Sequence, residues 1–319
     1  MEQIITDGLS FSLPLFVMAI GGLYSEKSGI TNLALEGLQG FGAFVGAFVA
    51  AVLMDRGTVS STAIFYIALL FAVIGGAVYS LLHALLCIRF KANQVISGVV
   101  VNIFAMSFTA FLTKLLNKLI FKTPSDKFVL DIAPRISIPV LRDIPVIGAV
   151  FDKLYPFELI IVVITVIAWY VLYRTSFGMN LRACGDNPHA VDAAGLNVSR
   201  IRTIAVLISG GLSGLAGISF AYSISANFSS GIYVGYGYLA IAAMIFGNWN
   251  LLPTVCTCLF FGFAKSLGYY VVRLMELPSS YSDLVMTIPY IATMILLMFF
   301  SKYNRAPRAR GEIYDKGKR

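Results

Sequence analysis

The chain has 319 residues, 58% of them hydrophobic and only 13% charged, with a formal net charge of +8. Soluble domains carry about a quarter charged residues, so this composition excludes an ordinary water-soluble protein and points to a membrane protein. The surplus of Lys and Arg sits in loops and tails between apolar stretches, where it orients a membrane protein and does not suggest nucleic-acid binding.

Residues 1–8 hold Glu2 and Asp7 and no basic region, so 9–23 reads as a retained first span and not as a signal peptide. Nine hydrophobic segments follow in order: 9–24, 30–54, 62–88, 95–113, 157–173, 204–225, 236–247, 251–272 and 284–300. The fold predicted is an all-α polytopic membrane protein, one transmembrane domain over 1–319 with about nine spans (eight to ten). From Thr203 to Ala264 there is no Asp, Glu, Lys or Arg. The seventh segment is too short to cross about 30 Å as a helix and is expected to be a half-helix or a broken one.

Lys and Arg set the orientation. The tail 301–319 holds seven of them, 174–202 holds four, and the link 89–94 holds Arg89 and Lys91. All three fall on one side if the nine segments alternate, placing the C-terminus in the cytoplasm and the N-terminus outside. The long loop 114–156 is then external although it carries seven basic residues against four aspartates, a conflict that long loops tolerate. A further interfacial helix near 114–121 or 144–154 would leave the crossings unchanged. The faces Gly42-x-x-x-Gly46 and Gly210-x-x-x-Gly214 with Gly217 allow close helix approach where lipid gives no hydrophobic push, and predict a tight bundle. Cys87, Cys184, Cys256, Cys258, His83 and His189 are too scattered for a disulfide framework or a metal site.

Between the fifth and sixth segments, YRTSFGMNLRACGDNPHAVDAAGLNVSRIR is too polar to span yet is patterned. Asn187 followed by Pro188 reads as a cap and first helical position, and Gly195 as a stop. A helix over 188–194, with Ala190, Ala193 and Ala194 on one face, is predicted. A helix of about two turns cannot hold alone in water, so it rests on its own bundle or on a partner, and the residues leave both open.

That stretch resembles the cytoplasmic coupling segment of ABC importer membrane subunits of the branched-chain amino acid, ribose and nucleoside permease superfamily. SEKSGITNLALEGLQGFGAF, RFKANQVISGVVVN and GYGYLAIAAMIFGNWNLLPTV are similar to further stretches of that family, in the same order. The E-K-S-G and G-N-W-N forms point to its nucleoside and simple-sugar branch. Two departures are Val191, where a second alanine is common, and Leu252 ahead of Pro253. The resemblance implies a bacterial plasma-membrane permease for a nucleoside or simple sugar. It implies a second permease in a heterodimer, a cytoplasmic ABC ATPase and an external substrate-binding lipoprotein as partners. It assigns ATPase coupling to Arg182, Gly185, Asn187, Pro188, Ala190, Ala193, Ala194 and Gly195. No G-x-x-x-x-G-K-[ST] occurs, so no cofactor is expected in this chain, and ATP with its Mg would be bound and hydrolysed by a partner. The chain itself is expected not to be an enzyme.

The ionisable residues inside apolar segments are Glu36, His83 and Lys265. A carboxylate at the depth of Glu36 costs about 2.5–3.5 kcal/mol on insertion scales, so it should face a cavity or a partner. The favoured reading is structural: Glu36 holds a broken second helix through Lys265 or backbone N–H groups. The other is a polar group on the translocation path, where ribose hydroxyls need acceptors. Path candidates are Asn32, Glu36, Asn93, Gln94, Asn102, Tyr236 and Tyr238; Tyr222, Phe228 and Tyr233 join the two tyrosines in a cluster that fits base stacking at the outer mouth and an interfacial aromatic belt equally well. His83 reads as a neutral core histidine. Gly29–Gly37 and Gly235–Ala243 echo one another, and paired broken helices of that kind would mark the substrate path. An ion-coupled secondary transporter, the alternative class, would need a chain of buried carboxylates, and the sequence offers only Glu36.

Overall fold

A computed structural model of the chain describes residues 2–139, 147–276 and 305–316, with six isolated positions between 284 and 298. Ten α-helices are described: α1 (Glu2–Lys27), α2 (Leu35–Arg56), α3 (Ser61–Ala84), α4 (Gln94–Leu116), α5 (Pro156–Arg174), α6 (Ser176–Asp186), α7 (Pro188–Ala193), α8 (Val198–Phe220), α9 (Tyr236–Phe246) and α10 (Leu251–Leu274). Wider π-type turns extend α3 over Leu85–Arg89, α4 over Asn117–Phe121 and α8 over Ala221–Ser225. Among the described residues seven helices are long and apolar enough to cross a membrane. This is an all-α polytopic membrane protein. The seventh hydrophobic segment is the 11-residue α9, and the ninth falls almost wholly outside the described residues.

Three boundaries differ from the sequence reading. The second segment is helical only from Leu35, because residues 28–34 are unwound. Lys114–Phe121 continues α4 and forms no separate helix, so the loop after it begins at Lys122. The polar stretch 174–202 holds two helices, not one. Thr175 caps α6 by accepting from Gly178 N–H at 3.2 Å, a signal the sequence reading passed over. Of the interval 144–154, residues 144–146 lie outside the described residues, and Ile147–Val150 form a short 3-10 turn.

The core is a three-helix crossing with almost no side chain in it. A Cβ on Gly42 would collide with Gly214 Cα, one on Gly46 with Ala68 O, one on Gly76 with Gly210 O, and one on Gly217 with Gln39 O. Backbones of α2, α3 and α8 therefore touch directly, the geometry that small residues permit in lipid. Gly76 of α3 completes a pattern read only in α2 and α8. Two short strands, β1 (Phe128–Val129) and β2 (Asn227–Phe228), pair antiparallel and bury Phe128 and Phe228. Both rings pack 5.9 Å from Phe44 of α2, which ties the loop after α4 to the bundle.

Helix α10 runs antiparallel to α1: Ser266 Oγ donates to Ile4 O at 3.0 Å, while Trp249, just before α10, meets Glu26 near the end of α1. Gly185 of α6 packs on Lys27 at that same end. Arg305 is there too, its N–H donating to Asn248 Oδ1 at 2.5 Å. Leu274 and Arg305 thus lie at opposite ends of the bundle.

Candidate functional site

Unwound backbone inside an apolar bundle must have every polar group satisfied. In residues 28–34 side chains of α3, α4 and α8 supply several of the partners. Gly29, at φ +95°, makes the turn out of α1 that an L side chain rarely adopts. Thr31 N–H donates to Gln94 Oε1 at 2.6 Å, and Thr31 O accepts from His83 Nε2 at 3.3 Å, the other ring nitrogen lying 2.9 Å from Ser97 Oγ. Asn32 donates to Ser209 Oγ at 2.9 Å and accepts from Ala34 N–H at 3.0 Å. Asn102 donates to Leu33 O at 2.8 Å and accepts from Gly37 N–H at 2.7 Å.

A second break, residues 226–235, precedes α9 and ends on a glycine, Gly235 at φ +91°. The N-termini of α2 and α9 meet there. Glu36, in the first turn of α2, accepts from Gly235 N–H at 2.8 Å, and a Cβ on Gly237 would collide with the backbone of Glu36. Helix N-termini carry partial positive charge, so a carboxylate between two of them is favoured. Glu36 also lines a cavity of about 130 Å³ with Asn102, Ser230, Tyr233 and Tyr238. Ligand pockets for drug-sized molecules run to about 300–1,000 Å³, so in this conformation the space is smaller than such a pocket, and Tyr238 leaves it partly open.

The remaining path candidates lie elsewhere. Asn93 is exposed and caps α4, accepting from Val95 and Ile96 N–H. Tyr236 is buried against Phe220, and its hydroxyl meets Lys265, whose ammonium lies over the rings of Phe11 and Tyr236 at 4.8 and 3.9 Å. Lys265 therefore does not partner Glu36. Tyr222 packs on Phe65 in the interior.

Sequence reasoning passed over two buried carboxylates. Glu26, fully buried, pairs with Arg310 Nε at 2.9 Å and accepts from Trp249 Nε1 at 2.5 Å. Glu158, at 2% exposure, accepts from Ser10 Oγ at 2.9 Å and Tyr155 N–H at 3.3 Å. Gln39, one turn beyond Glu36 on α2, is buried with its amide unpaired. The only sequence hint for Glu26 and Trp249 was that each sits in a singled-out motif; Arg310 gave none.

The stretch 174–202, expected above to be a coupling segment, lies at the end of the bundle where α1 stops. Asn187 caps α7 by accepting from Ala190 N–H at 3.0 Å, Pro188 is buried at its first position, and Gly195 at φ +81° ends it. Ala193 is the last helical residue. Val191 turns inward onto Cys184 and Val198, leaving Ala190, Ala193 and Ala194 exposed on the opposite side. Burial pushes the Cys184 thiol up to about 11. Gly185 is buried against Lys27 backbone, and Arg182 reaches Gly178 O at 3.3 Å with its guanidinium over Tyr173.

The chain is 36% identical over 321 residues to the guanosine ABC transporter permease protein NupQ of Bacillus subtilis, covering 99% of this chain and 97% of that one. It is 35% identical over 322 residues to the nucleoside ABC transporter permease protein NupC of Lactococcus lactis, covering 100% and 98%. A second Bacillus subtilis protein, the guanosine ABC transporter permease protein NupP, is 22% identical over 309 residues, covering 95% and 82%. No solved structure matches. Residues 4–294 match the family described as branched-chain amino acid transport system / permease component, and the chain belongs to that family.

Proposed function

We propose that this subunit carries nucleosides, as one half of the translocation path of a bacterial plasma-membrane ABC importer. The observation that carries the reading is the meeting of two half-helix N-termini around the cavity of Glu36, Asn102 and Tyr238. It occurs in a chain similar over its full length to permeases named for guanosine and nucleosides. Paired broken helices build substrate sites in many transporters. Tyr233 and Tyr238 offer rings to a base, and Ser230 offers a polar partner to a ribose hydroxyl.

The chain crosses the membrane nine times in this reading, N-terminus outside and tail inside. The opposite positions of Leu274 and Arg305 support an odd number, and the basic residues of 174–202 and 305–316 support the orientation. The exposed face of Ala190, Ala193 and Ala194 is where a cytoplasmic ABC ATPase docks, and ATP and Mg stay on that partner. Bacillus subtilis has two guanosine permease proteins resembling this chain to different degrees, which supports a heterodimer with a diverged second permease. An external substrate-binding lipoprotein completes the assembly. Ion coupling would need carboxylates free to titrate, whereas Glu26, Glu36 and Glu158 are each held by protein donors.

The test is uptake of labelled guanosine, adenosine and ribose by a deletion strain complemented with the permease pair and its ATPase. Nucleoside uptake without ribose uptake supports the reading; ribose uptake alone refutes it.

A further inference from the structure

Residues 305–316 form no regular element, yet they lie across the whole end of the bundle that bears α6 and α7. Ala309 N–H donates to Gly185 O at 2.7 Å, directly before α7, and Ala309 itself is buried. Two residues on, Gly311 N–H donates to Gly29 O at 3.0 Å, where the unwound stretch 28–34 begins. Arg310, between them, pairs with the buried Glu26 at 2.9 Å, its guanidinium 5.0 Å from the centre of the Trp249 ring. Arg202 closes the circuit from α8, donating to Ser28 O at 3.0 Å and to Glu312 O at 3.3 Å. Further along, Tyr314 packs on His189 of α7, and Lys316 lies 3.8 Å from Asp192 of the same helix.

This segment therefore touches the coupling helix on one side and the start of the first broken helix on the other. The unwound backbone runs from Gly29 through Asn32 to Ala34, just before Glu36 at the cavity, so its lower end and the coupling segment are both held by this strap, beside the direct contact of Gly185 on Lys27. Among the described residues Arg310 is the one cation paired with the buried Glu26, and parting them would leave the carboxylate with the Trp249 N–H but no opposite charge, so the tether has little freedom to move alone.

We propose that residues 305–316 are a transmission strap and that Glu26 and Arg310 are positioning residues of the transport cycle. Displacement of α6 and α7 by the docked ATPase pulls Gly185, then the strap, then Gly29 and the backbone leading to the cavity. The physical warrant is a contiguous run of hydrogen bonds and one buried ion pair joining two elements that the sequence separates by more than a hundred residues. The proposal rests on the ATPase-driven reading above.

Four versions of the full complex test it: unaltered, Arg310→Gln, Arg310→Lys, and Glu26→Gln with Arg310→Gln, the last removing the pair without stranding a charge. Two quantities are read: nucleoside taken up per ATP hydrolysed in liposomes, and amide hydrogen exchange at residues 28–34 with and without the ATPase. The unaltered complex should gain protection at 28–34 when the ATPase docks. The double variant should assemble, lose that protection, and transport about tenfold less nucleoside per ATP, within the usual range of coupling between sites. Arg310→Lys, which keeps the charge, should recover part of the ratio. An unchanged ratio and unchanged protection in the double variant overturn the proposal, and so does failure of every variant to assemble, which would make the contact a fold constraint only. If the unaltered complex moves no nucleoside, the functional reading fails on its own, and the strap is judged by exchange alone.

Discussion

Replacing Glu36 separates the two things its carboxylate can do. It accepts Gly235 N–H at 2.8 Å and sits in the first turn of α2 facing the first turn of α9. A hydrogen bond to a charged group contributes about 1.5–3 kcal/mol, and a carboxylate at a helix N-terminus about 0.3–1 kcal/mol more. Glu36→Leu removes both and leaves Gly235 N–H unpaired in an apolar bundle, a loss of about 2–4 kcal/mol. Glu36→Gln keeps the acceptor without the charge and should lose roughly half the bond, about 1–2 kcal/mol. Domains are stable by about 5–15 kcal/mol, so Gln should be tolerated and Leu should cut the yield of assembled complex sharply. The assay is purification of the permease pair with its ATPase through a tag on the partner, with thermal unfolding in detergent and a substrate panel on whatever assembles. Because backbone donors already engage the carboxylate, the Gln variant should keep the parent's preference among nucleosides differing in ribose hydroxyls. Normal assembly of Glu36→Leu would refute the argument. A changed preference in Glu36→Gln at normal yield would show instead that Glu36 reads the substrate.

Other expectations follow from particular contacts. Ala194→Glu places a charge on the exposed alanine face, so transport should be abolished with normal membrane insertion; uptake coupled to ATP hydrolysis in that variant would remove α7 from the ATPase interface. Gly76→Val should lower the unfolding temperature in detergent, since its side chain would press on Gly210 O and overpacking costs about 1–3 kcal/mol. In a background without other cysteines, Ser125→Cys should react with an impermeant maleimide on intact cells and His189→Cys should not; the reverse pattern inverts the topology. Cys184, buried and with its thiol raised to about 11, should stay neutral and resist alkylation at pH 8 until the protein is denatured; rapid labelling of the native form would place it on the surface.

Composition and hydropathy sufficed for the class, since no folded soluble chain leaves so little charge over so many 20-residue windows. Local chemistry sufficed for α7: Asn187, Pro188 and Gly195 act on backbone within a few residues, and the structure puts cap, first position and stop where those side chains require them. The glycine faces were legible too, because close approach leaves a periodic trace in sequence. The roles of Asn32, Gln94 and Asn102 were not. An amide in an apolar segment advertises a need for a partner, but only the tertiary structure decides whether that partner is a substrate or the chain's own unwound backbone. Here Gln94 and Asn102 satisfy peptide groups 63 to 69 residues away in sequence. Glu26 and Arg310 mark the limit of sequence reading: a pair separated by nearly the whole chain carries no periodicity, and it becomes visible only when folding brings the tail under the end of α1.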